Sequence, residues 1–136
     1  NNPHTQSSQI AKSVLFDEST GVFNGRTVVQ KDAQKIVAYQ SNKNLLLSKS
    51  AKMNSNPQLE IYADDVKCSH GSTTGQLDED ALFYFQSRGI PKNEAFILLI
   101  SGFVAEVMEE IKFAPIRSYI NQKINLWIAS PTNANN

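Results

Sequence analysis

Two alternating series of short apolar runs over residues 1–76 constrain the fold more than any other feature of the chain. The first series consists of Val14-Leu15-Phe16, Ile36-Val37-Ala38 and Leu59-Glu60-Ile61, which recur every 22 or 23 positions. The second series consists of Val22-Phe23, Leu45-Leu46-Leu47 and Val66-Lys67-Cys68, at nearly the same spacing. A repeating unit of this length cannot bury its apolar face alone, so successive units stack. The repeat predicts a parallel β-helix with two or more short strands in each coil, and a meander of hairpins is the alternative.

Turn-forming residues separate the apolar runs. Asn24-Gly25 and Asn42-Lys43-Asn44 are predicted to form turns in either arrangement. At this period the segment holds about three to four coils, which is near the minimum for a stable stack. Helices can cover the last coil, whereas nothing comparable precedes the first, and the chain starts without an initiator Met. We therefore expect the C-terminal part of a longer β-helix, whose uncovered strand edges favour pairing between two copies of the chain.

The pattern becomes helical from about Leu77. Asp78 has the character of a helix N-cap, and Arg88-Gly89 has that of a helix end. Pro91 suits the first turn of a second helix, and Pro115 separates this helix from a third. We therefore predict three domains or segments: β-helix coils over 1–76, a helical region over 77–130 and a disordered tail over 131–136.

The second predicted helix carries a broad apolar stripe. Its members recur at helical spacing and include Phe96, Leu99, Phe103, Val107 and Met108. Such a stripe is typical of core packing. Its width on a short chain is also suitable for docking a partner protein, so both interpretations stay open.

Charge and cysteine content exclude several classes of function. The chain has 13 basic and 13 acidic residues, and this balance argues against a nucleic-acid partner. No apolar run approaches the roughly 20 residues needed to cross a bilayer, so we expect no membrane association. The single cysteine, Cys68, excludes an internal disulfide, a Cys-rich zinc site and a four-cysteine iron–sulfur cluster held by this chain alone. A reducing, cytoplasmic location fits this cysteine usage.

The reactive side chains are concentrated between Asp64 and Gly71. If this stretch is extended, Cys68 and His70 lie on one face, with Cα atoms roughly 6–7 Å apart. A thiolate and an imidazole at that distance could bind one soft or borderline metal ion, although two ligands do not make a tight site. Alternatively, Cys68 is a small buried apolar residue and His70 lies in a turn.

Four sequence blocks between Gly21 and about Glu109 resemble the C-terminal part of the SufB/SufD family of iron–sulfur cluster assembly proteins. The blocks are GVFNGRTVVQ, AYQSNKNLLLS, PQLEIYADDVKCSHGSTTGQLDEDALFYFQSRGI and FILLISGFVAEV. The central block with Cys-Ser-His-Gly is more similar to the SufD branch than to the SufB branch. Residues 1–20 and the tail after about Ile128 match poorly.

The resemblance implies a scaffold, with a right-handed parallel β-helix followed by a helical C-terminal region. It implies that a SufD-like subunit pairs with a SufB-like subunit, and that the helical region binds a SufC-like ATPase. It further implies that a transient iron–sulfur cluster forms at the junction of the two subunits and is not held stably by this chain alone. The histidine of the family's Cys-x-His motif is implicated there and falls on His70, with Cys68 as its neighbouring cysteine.

The sequence therefore predicts a truncated right-handed parallel β-helix with a helical region, acting as a non-catalytic scaffold of the SUF machinery. His70 is the predicted ligand of the cluster or its precursor, and Cys68 is a supporting candidate. The apolar stripe of the second helix is the predicted docking surface for the ATPase. Two alternatives stay open, a dimerising β-helix module without a metal role and a β-helix enzyme acting on polysaccharides.

Overall fold

The computed structural model describes residues 3–128 and has a mixed β/α fold with five strands followed by three helices. The chain divides into two compact units, Asn1–Gly75 and Gln76–Asn136, and each is considered by itself. The predicted tail over 131–136 lies outside the described residues, as do residues 129 and 130 of the predicted helical region.

The strands of the first unit alternate between two sheets. Their bounds are β1 (Gln6–Leu15), β2 (Thr20–Val29), β3 (Ile36–Leu46), β4 (Lys52–Ile61) and β5 (Val66–Gln76). One sheet has the order β1-β3-β5, and the other pairs β2 with β4. The β1–β3 and β2–β4 pairs are parallel. The predicted mainly β character of this part and its parallel strand pairing are therefore confirmed.

The repeat length predicted from the apolar runs is wrong. Gln6 pairs with Val37 and Thr20 pairs with Lys52, so the offset between parallel neighbours is 31 positions in one sheet and 32 in the other. The apolar runs gave a shorter spacing because runs of one series do not occupy corresponding positions: Val14 pairs with Leu45 rather than with Ile36, and some runs of a series lie in different sheets. Val14 belongs to β1, whereas Leu59 belongs to β4. The strands are also longer than the apolar runs, because each of them continues from its run into polar sequence.

Both predicted turns lie inside strands. Asn24-Gly25 is in the middle of β2, and Asn42-Lys43-Asn44 is near the end of β3. The chain turns instead where Asp17 and Lys35 adopt positive φ angles of 52° and 57°. These residues have structural roles other than turn formation. The side-chain amides of Asn42 and Asn44 hydrogen-bond to each other inside the unit, and Gly25 leaves room for the side chain of Gln40.

The inner face of the first unit combines an apolar cluster with a stretch of buried polar side chains. Its apolar core consists of Val29, Ala33, Ile36, Ala38 and Ala63. Further along β3, the side chains that continue this inward face are polar amides, and Gln40, Asn42 and Asn44 are all buried. Buried amides require hydrogen-bonding partners, so the amides in this stretch of β3 depend on the neighbouring strands for donors and acceptors.

The second unit consists of α1 (Glu79–Ser87), α2 (Lys92–Glu110) and α3 (Ala114–Ile128). Asp78 caps α1 by accepting a 3.0 Å hydrogen bond from the backbone N–H of Ala81, as predicted. Gly89, with φ of 83°, follows the end of α1 in the conformation that glycine adopts most easily. Pro91 precedes α2, where a missing N–H costs nothing. Among the described residues, no helix combines the length and apolar character needed to cross a membrane.

Candidate functional site

Strand β5 carries both predicted cluster residues, and the structure places them in different environments. Cys68 is half-buried and packs against the apolar core cluster together with Val66. His70 is exposed, as is every residue from Ser69 to Gln76. β5 ends the strand order β1-β3-β5 of the described sheet, and this position explains its exposed side chains. The imidazole of His70 is accessible to a partner, whereas the thiol of Cys68 faces the core.

A side-chain hydrogen-bond network connects β5 to the buried amides of β3. The Oδ1 of Asn42 accepts from the hydroxyls of Ser55 (2.6 Å) and Ser72 (3.2 Å). The Nδ2 of Asn44 donates to the Oδ1 of Asn42 (2.8 Å) and to the hydroxyl of Thr74 (3.2 Å). The sequence interpretation missed these residues, although their alternation on one strand face is a signal that could have identified them.

A second amide pair lies on the same inward face. Gln9 and Gln40 are register partners in β1 and β3, and the Nε2 of Gln40 donates to the Oε1 of Gln9 at 2.8 Å. The side chain of Gln40 is 1% exposed, and its Oε1 has no hydrogen-bond partner among the described residues. A buried carbonyl oxygen without a donor is uncommon in folded proteins.

The described residues contain no group of three or more His, Cys, Asp or Glu side chains positioned to hold a metal ion. Asp65 precedes β5 and acts through its backbone, since its N–H donates to the Oε1 of Gln34 and its carbonyl accepts from Lys35. Asp64 is exposed. Cys68 and His70 thus supply no more than two ligands of these types in the described part of the chain.

An exposed ion pair links the two strands of the second sheet. The guanidinium of Arg26 in β2 donates two 2.7 Å hydrogen bonds to the carboxylate of Glu60 in β4. These hydrogen bonds lower the pKa of Glu60 below its usual range, and the same pairing raises the pKa of Arg26. The pair fixes two neighbouring strands but lies in water, so its contribution to folding is small.

The residues predicted to dock an ATPase are mostly covered within the helical unit. Phe96, Leu99, Phe103 and Val107 are half-buried, and Met108 is 7% exposed. Met108 and Val104 of α2 face Ile124 of α3 across a groove of about 230 Å³, whose polar lining includes Arg117. The more exposed large apolar side chains of this unit are Phe83, Tyr84, Leu98, Phe113, Ile116, Tyr119, Leu126 and Trp127.

Comparison with known proteins identifies the family. The family description "SUF system FeS cluster assembly, SufBD core domain" matches residues 1–103. The chain belongs to the SufBD family. The SufBD resemblance predicted from the four sequence blocks is thereby confirmed.

Three relatives illustrate the range of similarity within the SufBD family. An iron–sulfur cluster assembly SufBD family protein of Synechocystis is 39% identical over 125 residues, covering 92% of this chain and 28% of the relative. The iron–sulfur cluster assembly protein SufD of Escherichia coli is 41% identical over 118 residues, covering 87% of this chain and 28% of the relative. The SufD of Bacillus subtilis is 37% identical over 107 residues, covering 79% of this chain and 24% of the relative. The chain therefore spans about a quarter of the length of these relatives.

Proposed function

We propose that this chain is a SufD-type scaffold segment that pairs with a SufB-type subunit and helps to assemble an iron–sulfur cluster at their junction. The cluster is cargo, and the chain itself is not a catalyst. The observation that carries the proposal is the exposed imidazole of His70 on β5, the last strand of its sheet in the described part of the chain. Membership of the SufBD family and the SufD relatives support the assignment. They do not favour the polysaccharide-acting alternative.

A site completed by another chain follows from the ligands available. An iron–sulfur cluster is commonly held by four protein ligands, mostly thiolates. This chain has one cysteine and two histidines. In the proposed arrangement His70 supplies one nitrogen ligand and the partner supplies the thiolates. A reducing compartment such as the cytoplasm suits this chemistry, because the thiols involved stay reduced there.

The strand arrangement supports a further part of the proposal, that the first unit is a segment of a parallel β-helix. Successive strands alternate between two sheets, and the sequence offset between parallel partners is nearly the same in both sheets. A chain that winds in coils of one length produces this pattern. The last coil then presents β5 to the SufB-type partner, and backbone pairing at a strand edge is an effective mode of association.

Cys68 has a different proposed role from His70. Its side chain packs with Val66 on the apolar core, so it serves first as a small apolar residue that fixes β5. Cys68→Ala preserves most of this packing and removes the thiol. If Cys68 has only this structural role, the variant retains cluster formation, whereas a several-fold loss without a loss of stability would make Cys68 a cluster ligand.

The helical unit is proposed to bind a SufC-type ATPase, which supplies all ATP hydrolysis in the complex. The groove between α2 and α3 offers an apolar floor at Met108 and Ile124 beside the cation of Arg117. Arg117→Glu reverses this charge at an exposed position and is expected to weaken ATPase binding at least tenfold in a pull-down titration. Lys92→Glu, an exposed charge reversal at the start of α2 outside the groove, is the control.

The experiment that tests the proposed function uses His70→Ala in the complex with SufB-type and SufC-type partners. We expect complex formation and ATP hydrolysis to be unchanged, while the yield of reconstituted cluster falls at least several-fold. His4→Asn is the matched control, because it removes the other histidine at a position with φ of 58° that asparagine tolerates. An unchanged cluster yield in His70→Ala would overturn the assignment of His70.

A further inference from the structure

A constant sequence offset relates β3 to β5. Asn42 bonds to Ser72 and Asn44 bonds to Thr74, and both pairs are separated by 30 positions. In neighbouring strands that run in the same direction, such an offset continues along the pair. Two residues earlier, it places His70 beside Gln40. Four residues earlier, it places Cys68 beside Ala38, in agreement with the packing of Cys68 on the cluster that contains Ala38.

Of the two polar atoms of the Gln40 amide, only the nitrogen has a hydrogen-bond partner among the described residues. Its Nε2 donates to Gln9 in β1, and its buried Oε1 lacks a donor among the described residues. β3 lies between β1 and β5 in the sheet. In ladders of stacked amides, each side chain donates to one neighbouring strand and accepts from the other. The strand that should supply the missing donor is therefore β5, and the residue of β5 beside Gln40 is His70.

In the side-chain orientation that the structure shows, His70 makes no hydrogen bond to Gln40. We infer that the exposed imidazole turns to donate one N–H to the Oε1 of Gln40, and that Gln40 is thus a positioning residue for His70. The bond would hold the proton on one ring nitrogen and leave the lone pair of the other nitrogen directed outward. Histidines that bind metals commonly use their second nitrogen in this way, and the acceptor fixes the tautomer and the ring orientation. The significance of this bond for cluster assembly rests on the proposed function, whereas the bond itself requires no cluster.

The test is ¹⁵N NMR of the His70 imidazole in the purified chain at one fixed pH, slightly above neutrality. The wild-type chain is expected to show one dominant neutral tautomer and an imidazole N–H proton protected from exchange with water. Gln40→Met has similar length but no carbonyl, and should lose the protected proton and increase its exchange rate at least tenfold. Gln40→Glu retains an acceptor oxygen and should retain the protected proton.

Gln9→Ala is the matched control. It removes the same Gln9–Gln40 bond that Gln40→Met removes but leaves the Oε1 of Gln40 in place. Gln9 is exposed, so this substitution is easily accommodated. We expect the wild-type imidazole spectrum in this variant. If Gln40→Met does not fold, Gln40→Asn provides the same test, because it keeps a buried amide and withdraws its oxygen by one methylene length.

An unprotected imidazole proton in the wild-type chain, or one equally protected in Gln40→Met, would overturn the inference, since an internal water would then be the better partner for Gln40. The positioning role is tested in the assembled complex, where Gln40→Met should lower cluster yield roughly tenfold. If His70→Ala lowers the yield and Gln40→Met does not, the positioning role is overturned and the proposed function stands. If the protected proton is observed but His70→Ala has no effect, the hydrogen bond stands and the proposed function fails.

Discussion

Asn44 in β3 donates its side-chain amide to the hydroxyl of Thr74 in β5, 30 residues further along the chain, at 3.2 Å. The same amide also donates to the backbone carbonyl of Thr73. Asn44 is 3% exposed, whereas Thr74 is exposed. A buried amide thus holds the outermost strand of the described sheet by hydrogen bonds. The strand that it holds is the one that carries His70, so the interior of the first unit and its candidate site are physically connected.

Removal of an amide from this network should destabilise the first unit. In Asn42→Ala the hydroxyls of Ser55 and Ser72 and the amide of Asn44 lose a shared partner, and a cavity is left. We expect a loss of about 1–3 kcal/mol in the free energy of unfolding, measured by urea denaturation. Asn24→Ala, at an exposed position of β2, is the control and should change stability by less than about 0.5 kcal/mol. Equal stabilities for the two variants would contradict this role of the network.

Gly25 should not accept a side chain. A Cβ atom at this position would lie 2.5 Å from the Nε2 of Gln40 and 2.8 Å from the ring of Phe23. Gly25→Ala is therefore expected to destabilise the chain by about 1–3 kcal/mol through overpacking, as measured by thermal and urea unfolding. At Gly71 a Cβ atom would meet nothing within 4 Å, so Gly71→Ala provides a matched control with little expected effect. A tolerated Gly25→Ala would show that Gln40 moves easily.

The Arg26–Glu60 pair should make stability depend on pH in the acidic range. The folded-state pKa of Glu60 is lowered, chiefly by the hydrogen bonds from Arg26, relative to a usual glutamate value near 4.3. The stabilisation of the fold by this pair is therefore complete above about pH 4.3, and it is lost as the pH falls through the lower folded-state pKa of Glu60. Urea denaturation of wild type and Glu60→Gln between pH 7 and pH 3 measures the difference in their free energies of unfolding. This difference should shrink towards low pH. A constant difference across this range would exclude linkage through Glu60.

The sequence allowed prediction of the elements whose boundaries depend on local chemistry. Asp78 and Gly89 act at the ends of α1 through interactions within one or two turns of the chain, so their roles could be predicted from residue type and position. The parallel strands could also be predicted, because stacking is the general solution for repeated apolar runs. The SufBD family could be identified from its sequence blocks.

The turns and the repeat length could not be predicted by the same reasoning, because they depend on contacts between distant residues. Asn42 and Asn44 have the composition of a turn, yet they are buried because Ser55, Ser72 and Thr74 supply partners from two other strands. Residue type alone cannot reveal such partners. Spacing alone likewise left open whether Cys68 is a metal ligand or a small buried apolar residue, and it could not reveal that Cys68 packs on the core while His70 is exposed at the edge of the described sheet.

The most direct test of the account is electron spin echo envelope modulation of the reduced, paramagnetic cluster trapped in the assembled complex. We expect the coupling of a directly coordinated imidazole nitrogen, which changes isotope pattern when this chain alone carries ¹⁵N-histidine. The coupling should persist in His4→Asn and disappear in His70→Ala. A cluster without imidazole coupling, or one whose coupling survives in His70→Ala, would contradict the claim that His70 is a ligand of the nascent cluster.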